Sequence, residues 1–109
     1  MNDLIRPSLY GAYHEISVVN STNSENSPCD IVGPICESGD FLAKGVHLPN
    51  LSNGDLLCVK SAGAYGFTMS SNYNSRPRAA EIAVLNEKAR LIRKRESFDD
   101  LIALEKEYL

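Results

Sequence analysis

The sequence predicts a mainly β domain of five to six short strands that ends in one helix. Short segments rich in β-branched and apolar residues recur along the chain, and Gly, Pro, Asn and Asp separate them. This is the pattern of strands joined by turns. The last segment differs, because a helix-capping sequence precedes apolar residues at helical spacing. The 109 residues suffice for one domain with one modest core and leave no room for a second.

The first third of the chain is predicted to hold a helical turn and two strands. Residues 2–9 suit a short helical turn that contains a proline. Residues 13–19 alternate and contain β-branched side chains, which predicts a strand. Residues 20–28 are polar and lack apolar anchors, which predicts an exposed hairpin loop. Residues 30–35 are the second strand candidate, and the cluster Cys36-Glu37-Ser38-Gly39-Asp40 follows it.

The rest of the chain alternates strand candidates with turns. Residues 41–48 and 56–59 are strand candidates, and the turn signal Asn53-Gly54-Asp55 precedes the second of them. Residues 78–95 predict a hairpin with its turn at residues 86–89. Residues 97–100 then form a capping-box sequence for a closing amphipathic helix, whose apolar side chains are Leu101, Ile102, Leu104 and Tyr108.

Composition and charge exclude several classes of protein. The chain has 11 basic against 14 acidic residues and a formal net charge of −3, so nucleic acid and anionic lipid are not expected partners. No apolar run approaches the roughly 20 residues of a membrane helix. The N-terminus lacks a secretory signal, so we expect a cytoplasmic protein. Three cysteines without a CxxC pair indicate reduced thiols, and no metal motif is present.

Cys36 and Glu37 are the strongest candidates for chemistry. They lie on a glycine-containing turn between two strands, where a side chain can be presented without entering the core. A thiol in such a place can donate a proton to a carbanion-like centre if its surroundings tune it. The alternative is that Cys36 is a small buried apolar residue and that Glu37 and Asp40 are solvated. Cys29 and Cys58 lie in strand candidates and are expected to pack in the core.

Three further side chains suit an anionic ligand. Tyr65 lies between Ala64 and Gly66 in a run of small residues, so either its hydroxyl is offered to a phosphate or carboxylate, or its ring lies at the edge of the core. Arg6 and Tyr10 are four residues apart, so a helical turn places both on one side, as a guanidinium and phenol pair that suits a carboxylate. Ordinary surface positions are the alternative for both.

The other polar features suit structural or surface roles. His14 and His47 are far apart and have no partner at a ligand spacing. Residues 72–78 suit either a polar binding loop or a turn that leads into the hairpin. One basic run forms either a solvated strand face or a surface for an acidic patch on a partner chain; it consists of Arg90, Arg93, Lys94 and Arg95.

Four segments, taken in this order, closely resemble the C-terminal third of bacterial diaminopimelate decarboxylases. They are RPSLYGAYH at residues 6–14, GPICESGD at 33–40, SAGAYGF at 61–67 and SNYNSRPR at 71–78, and the likeness extends over nearly the whole chain. The sequence CESGD separates this family from the related ornithine and arginine decarboxylases. The resemblance therefore implies that residues 1–109 are the C-terminal domain of such an enzyme, a partial β-barrel or sandwich with a short C-terminal helix.

The resemblance also implies an activity. Enzymes of this family remove the D-centre carboxylate of meso-diaminopimelate to give L-lysine and CO2. Pyridoxal 5′-phosphate, held by a lysine of an N-terminal (β/α)8 barrel, is the electron sink. The family forms homodimers in which the C-terminal β domain of one subunit completes the active site on the barrel of the other.

By position, the resemblance assigns a role to each candidate residue. Cys36 would donate a proton to the substrate carbon that loses CO2. Glu37 would bind the distal ammonium of the substrate, and Arg6 and Tyr10 would bind its distal carboxylate. Tyr65 would contact the cofactor and the substrate.

The barrel that such an enzyme needs does not occur in this chain. A barrel takes about 250 residues, and none of the lysines has a context like that of the family's cofactor lysine; they are Lys44, Lys60, Lys88, Lys94 and Lys106. We therefore expect a product of a split, frameshifted or truncated gene that does not decarboxylate alone. The alternatives are a half that restores activity in trans, a non-catalytic module that pairs with intact subunits, and an unstable remnant.

Overall fold

The computed structural model describes residues 1–20 and 24–109, so part of the predicted hairpin loop, at residues 21–23, lies outside the described residues. The helices are α1 (Arg6–Tyr10), α2 (Gly66–Met69) and α3 (Phe98–Leu101). The strands are β1 (Ile16–Val19), β2 (Asn26–Val32), β3 (Phe41–Pro49), β4 (Leu56–Val59), β5 (Glu81–Leu85) and β6 (Lys88–Arg93). Two 3₁₀ turns lie at Tyr73–Ser75 and Lys106–Tyr108. This content confirms the mainly β prediction.

The strands pair as three two-stranded antiparallel sheets over the described parts of the chain. Strand β1 pairs with β4, β2 with β3, and β5 with β6. None of the described helices is long and apolar enough to cross a membrane.

Strand β2 begins inside the segment that was predicted to be a loop. Residues 26–28 pair with residues 47–49 of β3, so the loop prediction is wrong for these three residues. Their side chains are exposed and carry no apolar pattern. The partner strand, rather than local side-chain preference, determines their extended conformation. Strand β2 ends at Val32, three residues before the predicted end.

Strand β3 packs against both α1 and β1. Leu4, Ile16 and Leu48 form the apolar core. His14 is buried beside them, and its Nδ1 lies 3.0 Å from the carbonyl oxygen of Lys60. Because a carbonyl can only accept, Nδ1 is the ring nitrogen that carries the proton. His14 is therefore not a surface residue; its Nε2 is buried without a hydrogen-bond partner among the described residues, and a structural role stays a prediction.

Cys58 is exposed, which contradicts its predicted place in the core. Side chains alternate between the two faces of a strand, and in β4 the half-buried face is taken by Leu57 and Val59. Cys29 is half-buried in β2, and its Sγ lies 3.5 Å from the carbonyl oxygen of Val46. The core prediction therefore holds only in part for Cys29.

The β5–β6 hairpin closes with a two-residue turn. Asn86 and Glu87 have φ angles of 49° and 61°, which is the left-handed conformation of a type I′ turn. Leu85 pairs directly with Lys88, so the turn is shorter than the predicted residues 86–89. A type I′ turn follows the right-handed twist of the two strands, which is why two residues are enough.

The closing helix is one turn long and does not continue to Tyr108. The predicted capping box is confirmed: the Asp100 N–H donates to Ser97 Oγ at 3.3 Å, and the Ser97 N–H donates to Asp100 Oδ2 at 2.7 Å. Beyond Leu101 the helix ends, and Leu104 and Tyr108 are 88% and 81% exposed. So short a helix depends on an apolar surface to pack against, and these two side chains have none.

Candidate active site

Helix α1 and the segment that holds α2 form the walls of an open cavity of about 390 Å³. Its lining consists of Arg6, Tyr10, Tyr65 and Met69. The guanidinium carbon of Arg6 lies 5.2 Å from the centroid of the Tyr65 ring, which is within the range of a cation–π contact. The three residues that suit an anionic ligand are therefore neighbours, although Tyr65 is far from Arg6 and Tyr10 in the sequence.

The local structure of α1 explains why Arg6 and Tyr10 share a side. Pro7 lies in the first turn of the helix, where its missing N–H is not needed. Gly11 ends the helix with a φ of 62°, a conformation that glycine adopts without a steric penalty. The single turn between them places residues four apart next to each other. Tyr10 and Tyr65 are 66% and 54% exposed, so both rings are open to a ligand.

Half-buried Arg78 holds α2 against the hairpin. Its guanidinium donates to Oγ and the carbonyl oxygen of Ser70 at 3.0 and 3.3 Å. It also donates to Glu96 Oε1 at 3.1 Å, and its Cζ lies 5.8 Å from the ring centroid of Phe67 in α2. These contacts connect α2, which forms part of the cavity wall, to the base of the β5–β6 hairpin.

Glu96 is the acceptor at the centre of the same network. Its Oε2 accepts the backbone N–H of Arg78 and the side-chain amide of Asn72, both at 2.7 Å. The pKa of Glu96 is lowered below its ordinary value. The Arg78 N–H contributes most to this lowering and the Asn72 amide comes next, whereas partial burial of the carboxylate opposes both. The carboxylate is therefore held in its charged form.

The loop of residues 33–40 carries Cys36 and Glu37. The Gly33 N–H joins its ends by donating to the carbonyl oxygen of Asp40 at 2.8 Å. Inside the loop, the Glu37 N–H donates to the carbonyl oxygen of Ile35 at 2.8 Å. Cys36 and Glu37 are both exposed. The alternative in which Cys36 is a buried apolar residue is therefore wrong.

Asp40 is buried and not solvated, with 3% of its surface exposed. Its Oδ2 accepts the Ile35 N–H at 2.7 Å, and its Oδ1 accepts from the Met1 ammonium. The Met1 ammonium lowers the pKa of Asp40 below its ordinary value; burial opposes this, and the Ile35 N–H adds to it. The carboxylate is therefore stabilised in its charged form inside the protein.

The structure brings three of the five predicted site residues together and leaves two on another loop. Arg6, Tyr10 and Tyr65 share the cavity. In residues 1–20 and 24–109, no hydrogen bond or ion pair joins Cys36 or Glu37 to these three.

The sequence analysis missed the charges that hold both parts in place, which are the buried Asp40 and the half-buried Arg78 and Glu96. One signal for Asp40 was available, since an aspartate closes a loop that begins with Gly33. Short acidic side chains at loop ends commonly accept backbone N–H groups. No local signal pointed to the pairing of Arg78 with Glu96, because the hairpin between them brings them together.

Four of the five lysines, all except Lys88, form surface contacts that do not suit a cofactor anchor. Lys60 pairs with Glu15 at 2.6 Å, and this partner raises the pKa of Lys60. A lysine that forms a Schiff base instead needs a lowered pKa. Lys94 and Lys106 pair with aspartates at 3.0 and 3.1 Å, and the Lys44 ammonium lies 4.3 Å from an aromatic ring centroid. Across the described residues, no group of three or more His, Cys, Asp or Glu side chains is arranged to hold a metal ion.

Comparisons with known proteins agree on the class of the domain. The family described as pyridoxal-dependent decarboxylase, C-terminal sheet domain, matches residues 1–63. Diaminopimelate decarboxylase of Campylobacter jejuni is 56% identical over 109 residues, which are 100% of this chain and 27% of that protein. The Helicobacter pylori enzyme is 54% identical over 110 aligned positions, again 100% of this chain and 27% of the relative. The chain thus spans about a quarter of the length of these relatives.

Solved structures show the same likeness. A crystal structure of an Aquifex aeolicus protein superposes with a TM-score of 0.93 at 54% identity, over 96% of this chain and 26% of that one. Diaminopimelate decarboxylase from Helicobacter pylori, complexed with L-lysine, gives a TM-score of 0.90 at 55% identity, over 100% and 27%. Fold and sequence together define a C-terminal sheet domain of pyridoxal-dependent decarboxylases. Within that class, the chain belongs to the diaminopimelate decarboxylase family.

Proposed function

We propose that this chain is the C-terminal β domain of a diaminopimelate decarboxylase and supplies part of the site that converts meso-2,6-diaminopimelate to L-lysine and CO2. The convergence of Arg6, Tyr10 and Tyr65 on one open cavity carries the proposal. A guanidinium beside two phenols combines a positive charge with several donors, which suits a carboxylate or phosphate. The Helicobacter pylori relative is complexed with L-lysine, the product that this proposal requires.

In this proposal Arg6 and Tyr10 bind the distal carboxylate of the substrate. Their positions on one side of α1 allow the guanidinium and the phenol to donate to the same carboxylate. The Tyr65 ring lies against the Arg6 guanidinium and restricts its rotation. The exposed Tyr65 hydroxyl contacts the substrate and the cofactor.

Cys36 and Glu37 act from the 33–40 loop. The Glu37 carboxylate binds the distal ammonium of the substrate, and it forms no ion pair with another described residue that would compete for this role. The Cys36 thiol donates its proton to the substrate carbon that has lost CO2, and the thiolate then takes a proton from water. Exposure of both side chains allows them to reach a site that another domain completes.

Pyridoxal 5′-phosphate supplies the electron sink for the decarboxylation when it is bound. The donors around the cavity fit one edge of such an anionic cofactor, and Tyr65 is the residue that touches it. Lys60, whose pKa is raised by Glu15, does not fit the cofactor anchor. The anchoring lysine and the main phosphate site are therefore assigned to a barrel domain, either of the same subunit or of a partner.

The exposed surface of the chain supports the need for a partner. The solvent-accessible surface is 8202 Å², whereas a compact protein of this mass exposes about 6,000 Å². The radius of gyration of 16.2 Å exceeds the value of about 13 Å that is usual for this length. We therefore propose that the chain does not decarboxylate alone, and that it packs on a barrel domain within a homodimer.

A complementation assay tests this proposal. The chain, pyridoxal 5′-phosphate and meso-diaminopimelate are mixed with the part of the Campylobacter jejuni decarboxylase that lies outside the matched 27%, and lysine and CO2 are measured. We expect product from the mixture and none from either part alone. Lysine formation by the chain alone, or none by the mixture, contradicts the proposal.

Two cysteine variants separate the proton donor from a general effect. Cys36→Ala should lower the rate of the active mixture by about 100-fold or more, since this is the usual contribution of a positioned acid. Cys58→Ala is the matched control, because Cys58 is also an exposed thiol but lies in β4. Equal rates for the two variants would remove Cys36 from the mechanism.

A second candidate function is a non-catalytic module that pairs with intact decarboxylase subunits. It is favoured by the exposed apolar side chains of the β5–β6 hairpin, which are Ile82, Val84, Leu85, Leu91 and Ile92. Co-expression with the intact Campylobacter jejuni enzyme should then give mixed complexes with reduced activity. Elution of the two proteins as separate species in size-exclusion chromatography would eliminate this candidate.

A further inference from the structure

One buried side chain closes the loop that carries Cys36 and Glu37. The Asp40 carboxylate accepts the Ile35 N–H at 2.7 Å. The backbone of the same residue accepts the Gly33 N–H at 2.8 Å and donates to the Glu37 carbonyl oxygen at 3.0 Å. Backbone groups from the beginning and the middle of the loop therefore converge on Asp40.

Gly33 has no side chain, and the Asp40 carboxylate occupies the space in which a Cβ would lie. A Cβ at Gly33 would lie 2.2 Å from Asp40 Oδ2 and 2.4 Å from Oδ1, far inside any normal contact distance. A larger residue at position 33 therefore has to displace Asp40. The close contact between Gly33 and Asp40 matters, because burying a carboxylate lowers the stability of the fold unless its hydrogen-bond donors stay in place.

We propose that Asp40 is a positioning residue, which closes the loop of residues 33–40 and thereby holds Cys36 and Glu37 in the orientation that the reaction requires. The roles of Cys36 and Glu37 rest on the proposed function, whereas the closure of the loop rests on the geometry of Asp40 and Gly33 alone. A proton donor has to lie within hydrogen-bond reach of its acceptor. A shift of about 1 Å in such a group is enough to slow a reaction severely.

Amide hydrogen exchange of the chain tests the closure. In Asp40→Asn, one acceptor oxygen is replaced by a donor group. In Gly33→Ala, the added methyl group displaces an unchanged Asp40. We expect the backbone amides at positions 33, 35 and 37 to exchange about tenfold faster in both variants, which corresponds to about 1.4 kcal/mol in the closing equilibrium.

The Lys60 amide serves as the internal reference, because it donates to the Glu15 carbonyl oxygen at 2.8 Å outside the loop. Its exchange should be unchanged. Asp55→Asn is the matched control variant, since Asp55 closes the 52–55 turn in the same way, by accepting the Ser52 N–H at 2.7 Å. Unchanged loop amides in the Asp40 and Gly33 variants, or equal acceleration of the Lys60 amide, would overturn the proposal.

The complementation assay then shows whether Asp40 acts through Cys36. In an active mixture, Asp40→Asn should slow CO2 release at least about tenfold in the native background and much less in a Cys36→Ala background, since residues that act together are not additive. Equal factors in the two backgrounds would mean that Asp40 does not act through Cys36. If the native mixture releases no CO2, the proposed function fails, and the exchange rates still decide whether Asp40 closes the loop.

Discussion

Residues 1–48 and residues 49–109, here called the N-terminal and C-terminal halves, differ in how they are stabilised. Every buried side chain among the described residues lies in the N-terminal half; they are Asn2, Leu4, Pro7, His14, Ile16, Asp40 and Leu48. The C-terminal half instead contains exposed apolar side chains, surface ion pairs and the half-buried Arg78–Glu96 pair.

This difference shows which half depends on contacts outside the chain. Burial of apolar surface is the main source of folding stability, and the buried apolar side chains Leu4, Ile16 and Leu48 all lie in the N-terminal half. The β5–β6 hairpin is completed by backbone hydrogen bonds, but both strands leave apolar side chains in solvent. Two-stranded hairpins are marginal in isolation. We therefore expect the C-terminal half to gain most of its stability from the proposed partner domain.

The largest expected effect is the loss of a core side chain in the N-terminal half. Leu48 is 6% exposed, and Leu48→Ala should lower the free energy of unfolding by about 2–5 kcal/mol. The control Leu91→Ala removes a leucine of β6 that is 57% exposed and should stay within about 0.5 kcal/mol. Urea denaturation followed by circular dichroism measures both. Equal losses of unfolding free energy in Leu48→Ala and Leu91→Ala would show that the two halves share one core.

The polar network of the C-terminal half should give the next largest effect. Arg78→Met leaves the Glu96 carboxylate without its guanidinium partner, and we expect a loss of about 1–3 kcal/mol in urea denaturation. Lys106→Met breaks an exposed pair with Asp99 and should cost less than about 0.5 kcal/mol. Comparable losses in the two variants would contradict a special role of the half-buried pair.

Acid should weaken both halves through their stabilised carboxylates. The ordinary pKa values are 3.8 for Asp40 and 4.5 for Glu96, and both are lowered in the folded protein. The unfolded chain then binds protons that the folded chain does not, so stability is present above these ordinary values and is lost as the pH falls through the lowered ones.

Thermal melts between pH 7 and pH 3 measure this dependence. Asp40→Asn and Glu96→Gln should each flatten the fall of the melting temperature with acid, because each removes one carboxylate of lowered pKa. A variant with the same dependence as the native chain would show that its carboxylate does not contribute.

The cap of α3 tests whether the end of the chain has local stability. Ser97→Ala removes the oxygen that accepts the Asp100 N–H, and this should cost about 1 kcal/mol. The loss should appear as faster amide exchange in residues 98–102. Ser52→Ala, in an exposed turn where only the backbone of the residue is used, should leave that exchange unchanged.

The smallest expected effect on the isolated chain comes from the exposed hairpin face. Val84 is 70% exposed in β5, so Val84→Lys should change the unfolding free energy by less than about 1 kcal/mol. In the complementation assay the same variant should weaken assembly, because a buried lysine without a partner is costly. Full complementation by this variant would show that the hairpin face stays in solvent.

The predictions that succeeded rest on interactions between near neighbours in the chain. The four-residue spacing of Arg6 and Tyr10 became one face of α1, and the capping box at Ser97 formed as expected. The predictions that failed depended on distant partners. Residues 26–28 are extended because β3 lies beside them, and Cys58 is exposed because the core lies on the other face of β4.

The features of the candidate site also divide into those that the sequence determined and those that the tertiary structure decided. The sequence by itself determined the family, the mainly β class and the residue types that suit a carboxylate, since these follow from motifs and local spacing. Only the tertiary structure decided that Tyr65 lies against Arg6, that Arg78 meets Glu96, and that Asp40 is buried. Local sequence carries backbone preference and hydrophobic period, whereas the burial of a charge depends on which distant donors the fold brings to it.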